Sequence, residues 1–536
     1  MLIGYVSDEY FVAISNVSIE AACTSCSDRY VTQSSASGAI ELPITQGTYT
    51  FTLASEGFSP KRSTHGISLG ETVNFRLLSN KLYAYVSPRW SVAGTEAKVL
   101  VSSKSPYSLE LWHYGAKKTL IKRLGFDTHP LGATLQTTPD GDYLSASLNW
   151  DDPNLVSAPE KSGLYFVHIK NLSGEELVVP WVVSPARAKS KIAVLTSSST
   201  WSAYNNFGGR SNYVLPTGLP KKPLLSRRLD LPRYSDINTG AEHETWDDSN
   251  YPNLTFERPE PANTVGLNES LTDPISTRDA NGLASAEWRL LGWMENQGFD
   301  YDLYSDVQLH CDEIDLTSYA VLVMNCHPEY WSKKMYESVK DWVHNQGGKL
   351  IYLGGNGITC EVDYPTPTSM TVKNGDYSQF FVDGKFRCFC EMPCNDQFKS
   401  RFTTTVEPEA HLLGISYDRD GLMTAAPYQV VDGSHWVFEG TKLKNGDLFG
   451  IESLHTRCPG GASGHEIDKI QSSSPANIHL LAKGTNPDNS GAEMSIYETT
   501  SGGAVFAVGS INYPSSLPVD KPLSEVTRNV FLRFLN

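Results

Sequence analysis

A chain of 536 residues that is 40% hydrophobic, 11% aromatic and 19% charged can bury sizeable cores, which excludes a disordered polymer; its length suits roughly two to four domains. A formal net charge of -16 excludes a broad phosphate-binding surface, so nucleic acid is not an expected partner. The opening "MLIGYVSDEYF" lacks a basic start followed by a long apolar run, and no window offers the roughly 20 apolar residues of a membrane span. No membrane association is expected, and the chain is assigned to the cytoplasm.

From residue 1 to about residue 80, short β-type runs alternate with turn residues: "GYVSDEYFVAISNVSIEAA", "SGAIELPITQGTYTFTLASEGF" and "ETVNFRLL". They predict a small β-sandwich, similar to the transthyretin-like modules appended to carboxypeptidases. Residues 81–186 form a second β-rich stretch, including "YSLELWHYG" and "SGLYFVHIKNLSGEELVVPWVVSP", whose alternation predicts another antiparallel sandwich. After "SPARAKSK" the rhythm changes. "KIAVLTSS" reads as a buried strand, "SAEWRLLGWMENQG" as an amphipathic helix and "YAVLVMNC" as a second buried strand. "SKKMYESVKDWVHNQGG" reads as a helix with Ser332 as N-cap and Gly347 as stop, and "KLIYLGGN" as a third strand. "GGAVFAVGSINYP" and "LSEVTRNVFLRFLN" add a strand and a closing helix. Residues 187–536 therefore read as one α/β domain with a mainly parallel sheet.

The nine cysteines are an odd number, which favours reduced thiols over a disulfide framework. Cys23 and Cys26, and the group Cys388, Cys390 and Cys394, lack a second ligand pair at zinc-ribbon spacing.

Ligands of open parallel sheets bind beyond the carboxyl ends of the strands. Four polar clusters fall there or in long loops: "TWSAYNNFGGRSNY", "CHPEYWS", "GGNGITCEV" and "HTRCPGGASGHEID". Pro328 disfavours helix at His327, so an extended H-P-E turns His327 and Glu329 to one side. The imidazole titrates near neutrality, and the carboxylate offers hard oxygen donors. The bland alternative makes His327 a core histidine and Glu329 a helix cap. Gly-Gly-Asn-Gly resembles a nucleophile elbow in which Asn356 is no nucleophile but can donate to a developing oxyanion or hold a substrate carbonyl, and it also suits a plain left-handed turn residue. Cys326 stands next to His327, but adjacent residues of an extended chain point apart, which argues against a thiol nucleophile with His327 as its base. A non-catalytic, carbohydrate- or ligand-binding protein is the other alternative.

Together, "TWSAYNNFGGRSNY", "HPEYWS", "LGGNG" and "ASGHEID" resemble the N,N-dimethylformamidase large (beta) subunit family over roughly residues 81–536. The resemblance implies a class I glutamine amidotransferase-like C-terminal domain and hydrolysis of small N-substituted amides. It also implies one ferric ion, Fe(III), per chain, a small accessory subunit and an oligomeric assembly. By the same resemblance Tyr204 and Glu329 are metal ligands, His327 is the general base, Asn356 contacts the oxyanion or substrate, and Glu466 is a second catalytic carboxylate. The family's second tyrosine closes an Arg-Pro-Tyr element, whereas this chain has Glu260 after Arg258 and Pro259 in "FERPEP". Glu260 replaces that ligand, or Tyr251 reaches the metal instead, or the metal site is altered or lost.

Overall fold

The computed structural model describes residues 2–9, 12–68, 70, 72–127, 133–137, 143–148, 154–205, 207, 212–214, 244–245, 253–276, 282–373, 381–382, 385–386, 402 and 405–536. Tyr251, Cys388, Cys390 and Cys394 lie outside these residues.

Strands within residues 2–76 form sheets of three and four strands, and one apolar cluster that includes Val17, Ile19, Phe51 and Phe75 lies among them. Strands between residues 83 and 184 form sheets of three and five strands around Val99, Leu111, Val167 and Trp181. Both regions are β-rich, as the alternation predicts. The expectation of reduced thiols fails at one place. Cys23 and Cys26 are joined by a disulfide, because the turn between the strands Ser18–Cys23 and Arg29–Gln33 brings their Cα atoms to 5.3 Å, within bridging range.

The α/β domain is organised by β1 (Ile192–Thr196), α1 (Ser198–Tyr204), α2 (Ala284–Asn296), β2 (Asp302–Ser305), α3 (Asp306–His310), β3 (Val321–Cys326), α4 (Lys333–Gln346) and β4 (Lys349–Gly354). Then follow β5 (Tyr428–Val430), β6 (Leu448–Phe449), β7 (His479–Gly484), β8 (Glu493–Glu498), β9 (Ala504–Ala507) and α5 (Lys521–Leu535). The nine strands form one sheet in the order β2-β1-β3-β4-β9-β8-β7-β5-β6. Neighbours from β2 to β9 run parallel and those from β9 to β6 antiparallel, so the sheet is mixed rather than mainly parallel as expected. The difference arises after residue 405, where β5 to β8 return through hairpin-like pairings that leave no room for crossover helices.

The buried strands read as continuous apolar runs because both faces are covered. Val194, Val323, Ile351 and Phe506 face one core with Trp288 and Leu291 of α2 and Phe531 of α5. Their neighbours Leu195, Leu322, Met324 and Leu350 face the other core with Met335, Val339 and Trp342 of α4. The α4 ends are those read from the sequence: the Ser332 side chain accepts from Met335 N, and Gly347 closes the helix at φ 81°.

Chain order and sheet order cross between β1 and β3. From β1 the chain moves outward to β2, whereas from β3 it moves through α4 to β4 on the opposite side. Neighbouring strands whose connections depart in opposite directions open a crevice beyond their carboxyl ends. Tyr204 follows β1 into that crevice, and His327 and Glu329 follow β3.

Candidate active site

Beyond β3 the chain turns more tightly than the expected extended H-P-E. The Glu329 N–H donates to the His327 carbonyl at 2.9 Å across Pro328, as in a γ-turn. The consequence is the one anticipated: His327 Nε2 lies 3.2 Å from Glu329 Oε2, and both side chains are almost fully buried. Thr200 of α1 fixes the turn from above, its hydroxyl donating to the His327 carbonyl at 2.7 Å and accepting from Glu329 N at 3.2 Å.

At the end of α1, the Tyr204 hydroxyl donates to Glu329 Oε2 at 2.8 Å and lies 3.2 Å from His327 Nε2. The thiol of Cys360 approaches Glu329 Oε1 at 3.7 Å. His327 Nδ1–H donates to the Gly355 carbonyl at 3.0 Å, which directs Nε2 toward Tyr204 and the two glutamates. Glu466 Oε2 stands 3.7 Å from that nitrogen. Burial by itself lowers the proton affinity of His327. The hydrogen bond to Glu329 and the charges of Glu466 and Glu329 outweigh burial and raise the imidazole to about 9. In this arrangement His327 is a protonated donor at neutral pH.

Asn356 takes the left-handed conformation, φ 51°. Its side chain nonetheless enters the cleft: Nδ2 donates to Glu466 Oε2 at 2.7 Å, and Oδ1 accepts from the Thr359 hydroxyl. The turn is secured from below by Asp468, which accepts from Asn356 N at 2.8 Å and from the Tyr352 hydroxyl at 2.7 Å. Burial pushes the Asp468 carboxyl up to about 7, against those hydrogen bonds.

Tyr204, His327, Glu329, Asn356 and Glu466 are thus brought together. Glu260 is directed elsewhere, its Oε1 forming a buried ion pair of 2.8 Å with Arg89 Nη1 of the second β-rich region. The preceding residues remain beside α1: the Pro259 carbonyl accepts from Asn205 Nδ2 at 2.9 Å, and Arg258 donates to the carbonyls of Ser202, Asn205 and Phe207. Cys326 also has a positive φ, 58°, but its thiol is fully buried with Ile275, Ala286 and Ile511, and burial pushes it well above the ordinary thiol range. A buried, protonated thiol is a poor nucleophile.

Thr200, Thr359 and Asp468 were not singled out from the sequence. Asp468 carries a signal, standing two residues beyond Glu466 in "GHEID". The threonines carry none, because a hydroxyl's role depends on which backbone it meets.

The phenol of Tyr204 and the carboxylate of Glu329 are hard oxygen donors 2.8 Å apart, and they fit a hard cation. Among the described residues, no group of three or more His, Cys, Asp and Glu side chains is arranged to hold a metal. A metal here would therefore depend on phenolate as well as carboxylate.

Fold and cleft together define the class: an α/β domain with an acid–base cleft at the crossing point of its sheet. The chain belongs to the family described as N,N-dimethylformamidase beta subunit-like, C-terminal, which matches residues 111–526. It is 25% identical over 444 residues to an N,N-dimethylformamidase beta subunit of Paracoccus aminophilus, covering 72% of this chain and 54% of that protein. It is 25% identical over 288 residues to one of Alcaligenes sp, covering 47% of this chain and 36% of that protein. The chain spans about half or less of the length of these relatives. Among solved structures, the BcpA(D312A) major pilin of Bacillus cereus aligns at 12% identity over 37% of this chain and 72% of that one, with a TM-score of 0.15, which carries no argument about the fold. Among the described residues, no helix is long and apolar enough to cross a membrane.

Proposed function

We propose that this chain hydrolyses the C–N bond of small N-substituted amides. The observation that carries the reading is the convergence of Tyr204, His327, Glu329 and Glu466 within 2.8–3.7 Å contacts in the crevice beyond β1 and β3, inside the family-matching residues.

In this reading Tyr204 and Glu329, with Tyr251 as a third donor, would hold one ferric ion, which would supply Lewis acidity toward the amide carbonyl. His327 Nε2 takes a proton from the attacking water. The hydrogen bond to Glu329 is the largest of the interactions that hold that nitrogen protonated against burial, so neutralising the charge of Glu329 favours its action as a base. Water oxygen bonds to the carbonyl carbon, the proton taken by His327 passes to Glu466, 3.7 Å away, and Glu466 delivers it to the departing nitrogen as the C–N bond breaks, giving a carboxylic acid and an amine. Asn356 holds Glu466 in place and lies where it could also donate to the developing oxyanion.

The five parallel strands suit a glutamine amidotransferase-like ancestry for the domain. The relatives are named as beta subunits, so a small accessory subunit and an oligomer belong to the same proposal. The test is amine release from N,N-dimethylformamide and a panel of formamides and acetamides, with and without added iron, alongside metal analysis and a visible spectrum. Release that disappears in Glu329→Gln, with a tyrosinate-to-ferric absorption band that disappears in Tyr204→Phe, is expected. Active protein without bound transition metal overturns the metal half, and no turnover of any amide by iron-loaded protein overturns the whole.

A further inference from the structure

The helix carrying Tyr204 and Thr200 has no means of holding itself. α1 has seven residues, and its N-cap, Ser197, makes no side-chain cap; its hydroxyl donates instead to the Asn325 carbonyl at 2.8 Å. An isolated helix of this length is unstable, so its position must be imposed from outside.

Two buried carboxylates supply that hold. Glu287, on the first turn of α2 and fully buried, accepts through Oε1 from Ser197 N at 2.9 Å and from Trp201 Nε1 at 2.8 Å. Its own backbone carbonyl accepts from Asn325 Nδ2 at 3.3 Å, on the strand that ends at His327. One residue therefore joins the start of α1, the middle of α1 and the end of β3. Asp306 of α3, also buried, accepts from Ser199 N through both oxygens at 3.2 Å. Among the described residues no cation is paired with Glu287, and its Oε2 has no hydrogen-bond partner. A buried acid with an unmet oxygen is a poor choice for stability, since an apolar residue of similar volume usually serves a core better.

We propose that Glu287 is a positioning residue for the amide hydrolysis proposed above, holding α1 so that Thr200 and Tyr204 meet His327 and Glu329. The inference rests on that functional reading for its catalytic half only; the placement of Tyr204 is testable without turnover.

The experiment compares Glu287→Gln, Glu287→Met and Trp201→Phe in the full chain. Burial keeps the Glu287 carboxyl well above the ordinary range, so glutamine mimics the acid and keeps the acceptor, whereas methionine removes it. Trp201→Phe removes the indole donor and leaves the ring, which keeps the test open should methionine fail to fold. Glu287→Met is expected to fold, to lower kcat about 10²-fold because small displacements at a reacting centre are costly, and to be rescued by glutamine. Trp201→Phe is expected to lower kcat about tenfold with little change in KM. Crystal structures should show the 2.8 Å contact between Tyr204 and Glu329 lost in Glu287→Met and kept in Glu287→Gln. A merely structural role would lower Tm while leaving kcat per folded molecule and the Tyr204 contact unchanged, and would overturn the proposal. So would glutamine proving as damaging as methionine. Were no amide turned over by the wild-type chain, the contact would still decide the positional inference while the functional reading failed.

Discussion

Glu329 and Glu260 are both buried carboxylates in segments packed around the end of α1, yet they do opposite things. Glu329 meets a phenol, an imidazole and a thiol, groups that can exchange protons or accept a metal in place of each other. Glu260 meets the guanidinium of Arg89, which stays protonated and offers nothing to exchange. One carboxylate is kept reactive and the other is made structural. The difference lies in the neighbour, not in residue type or burial.

The largest effect expected from breaking this contrast is at Glu329. Glu329→Gln should lower kcat/KM on a turned-over amide by about 10³-fold, measured by amine release, with the fold intact by circular dichroism. At the other carboxylate the effect should appear in stability: Arg89→Met strands Glu260 and should cost about 3–5 kcal/mol in urea unfolding. The double substitution Arg89→Met/Glu260→Met should return close to the wild-type value. Should Glu260→Met alone abolish iron binding while Arg89→Met leaves it intact, Glu260 would belong with Glu329 after all.

His327 sharpens the comparison through pH. Its folded value, about 9, lies above the ordinary value near 6.5, so the folded state binds the proton more tightly. The associated stability, about 3 kcal/mol, is fully present below pH 6.5 and lost as pH rises through 9. Unfolding free energies of metal-free protein between pH 6 and 10 should show this fall, and Glu329→Gln should flatten it. The smallest effect belongs to a feature remote from either carboxylate: Ser332→Ala removes the N-cap of α4 and should cost about 1 kcal/mol, read from the same urea curves.

Much of the site was legible because its residues sit in short segments at strand ends. Tyr204, His327, Glu329 and Asn356 occur in three motifs at the carboxyl ends of buried strands and Glu466 in a fourth within a long loop, and the structure brings all five together. The buried strands and α4 were legible for the same local reason, since apolar runs, a serine cap and a terminal glycine are each decided within a few residues. The sheet's antiparallel half was not, because β5 to β8 are short and their pairing depends on partners far along the chain. Nor was the role of Glu287: it lies on the apolar stripe of α2 with Ala284, Trp288 and Leu291, a visible anomaly, but one that names no partner. The disulfide at Cys23 was missed because an odd cysteine count speaks for the whole chain and not for one turn.

The sequence by itself determined which segments would be buried strands, where they would stop, and which ionisable groups would stand at those stops. Only the tertiary structure decided which of those groups would face each other. It set Glu329 against Tyr204, gave Glu260 to Arg89, and placed two acids under a helix too short to hold itself. Hydrophobic period and capping act over a few residues and are written locally. The proton affinity of a carboxylate or an imidazole is set by charges and hydrogen bonds a few ångströms away, and Tyr204 and Glu466 reach Glu329 and His327 from segments more than a hundred residues away.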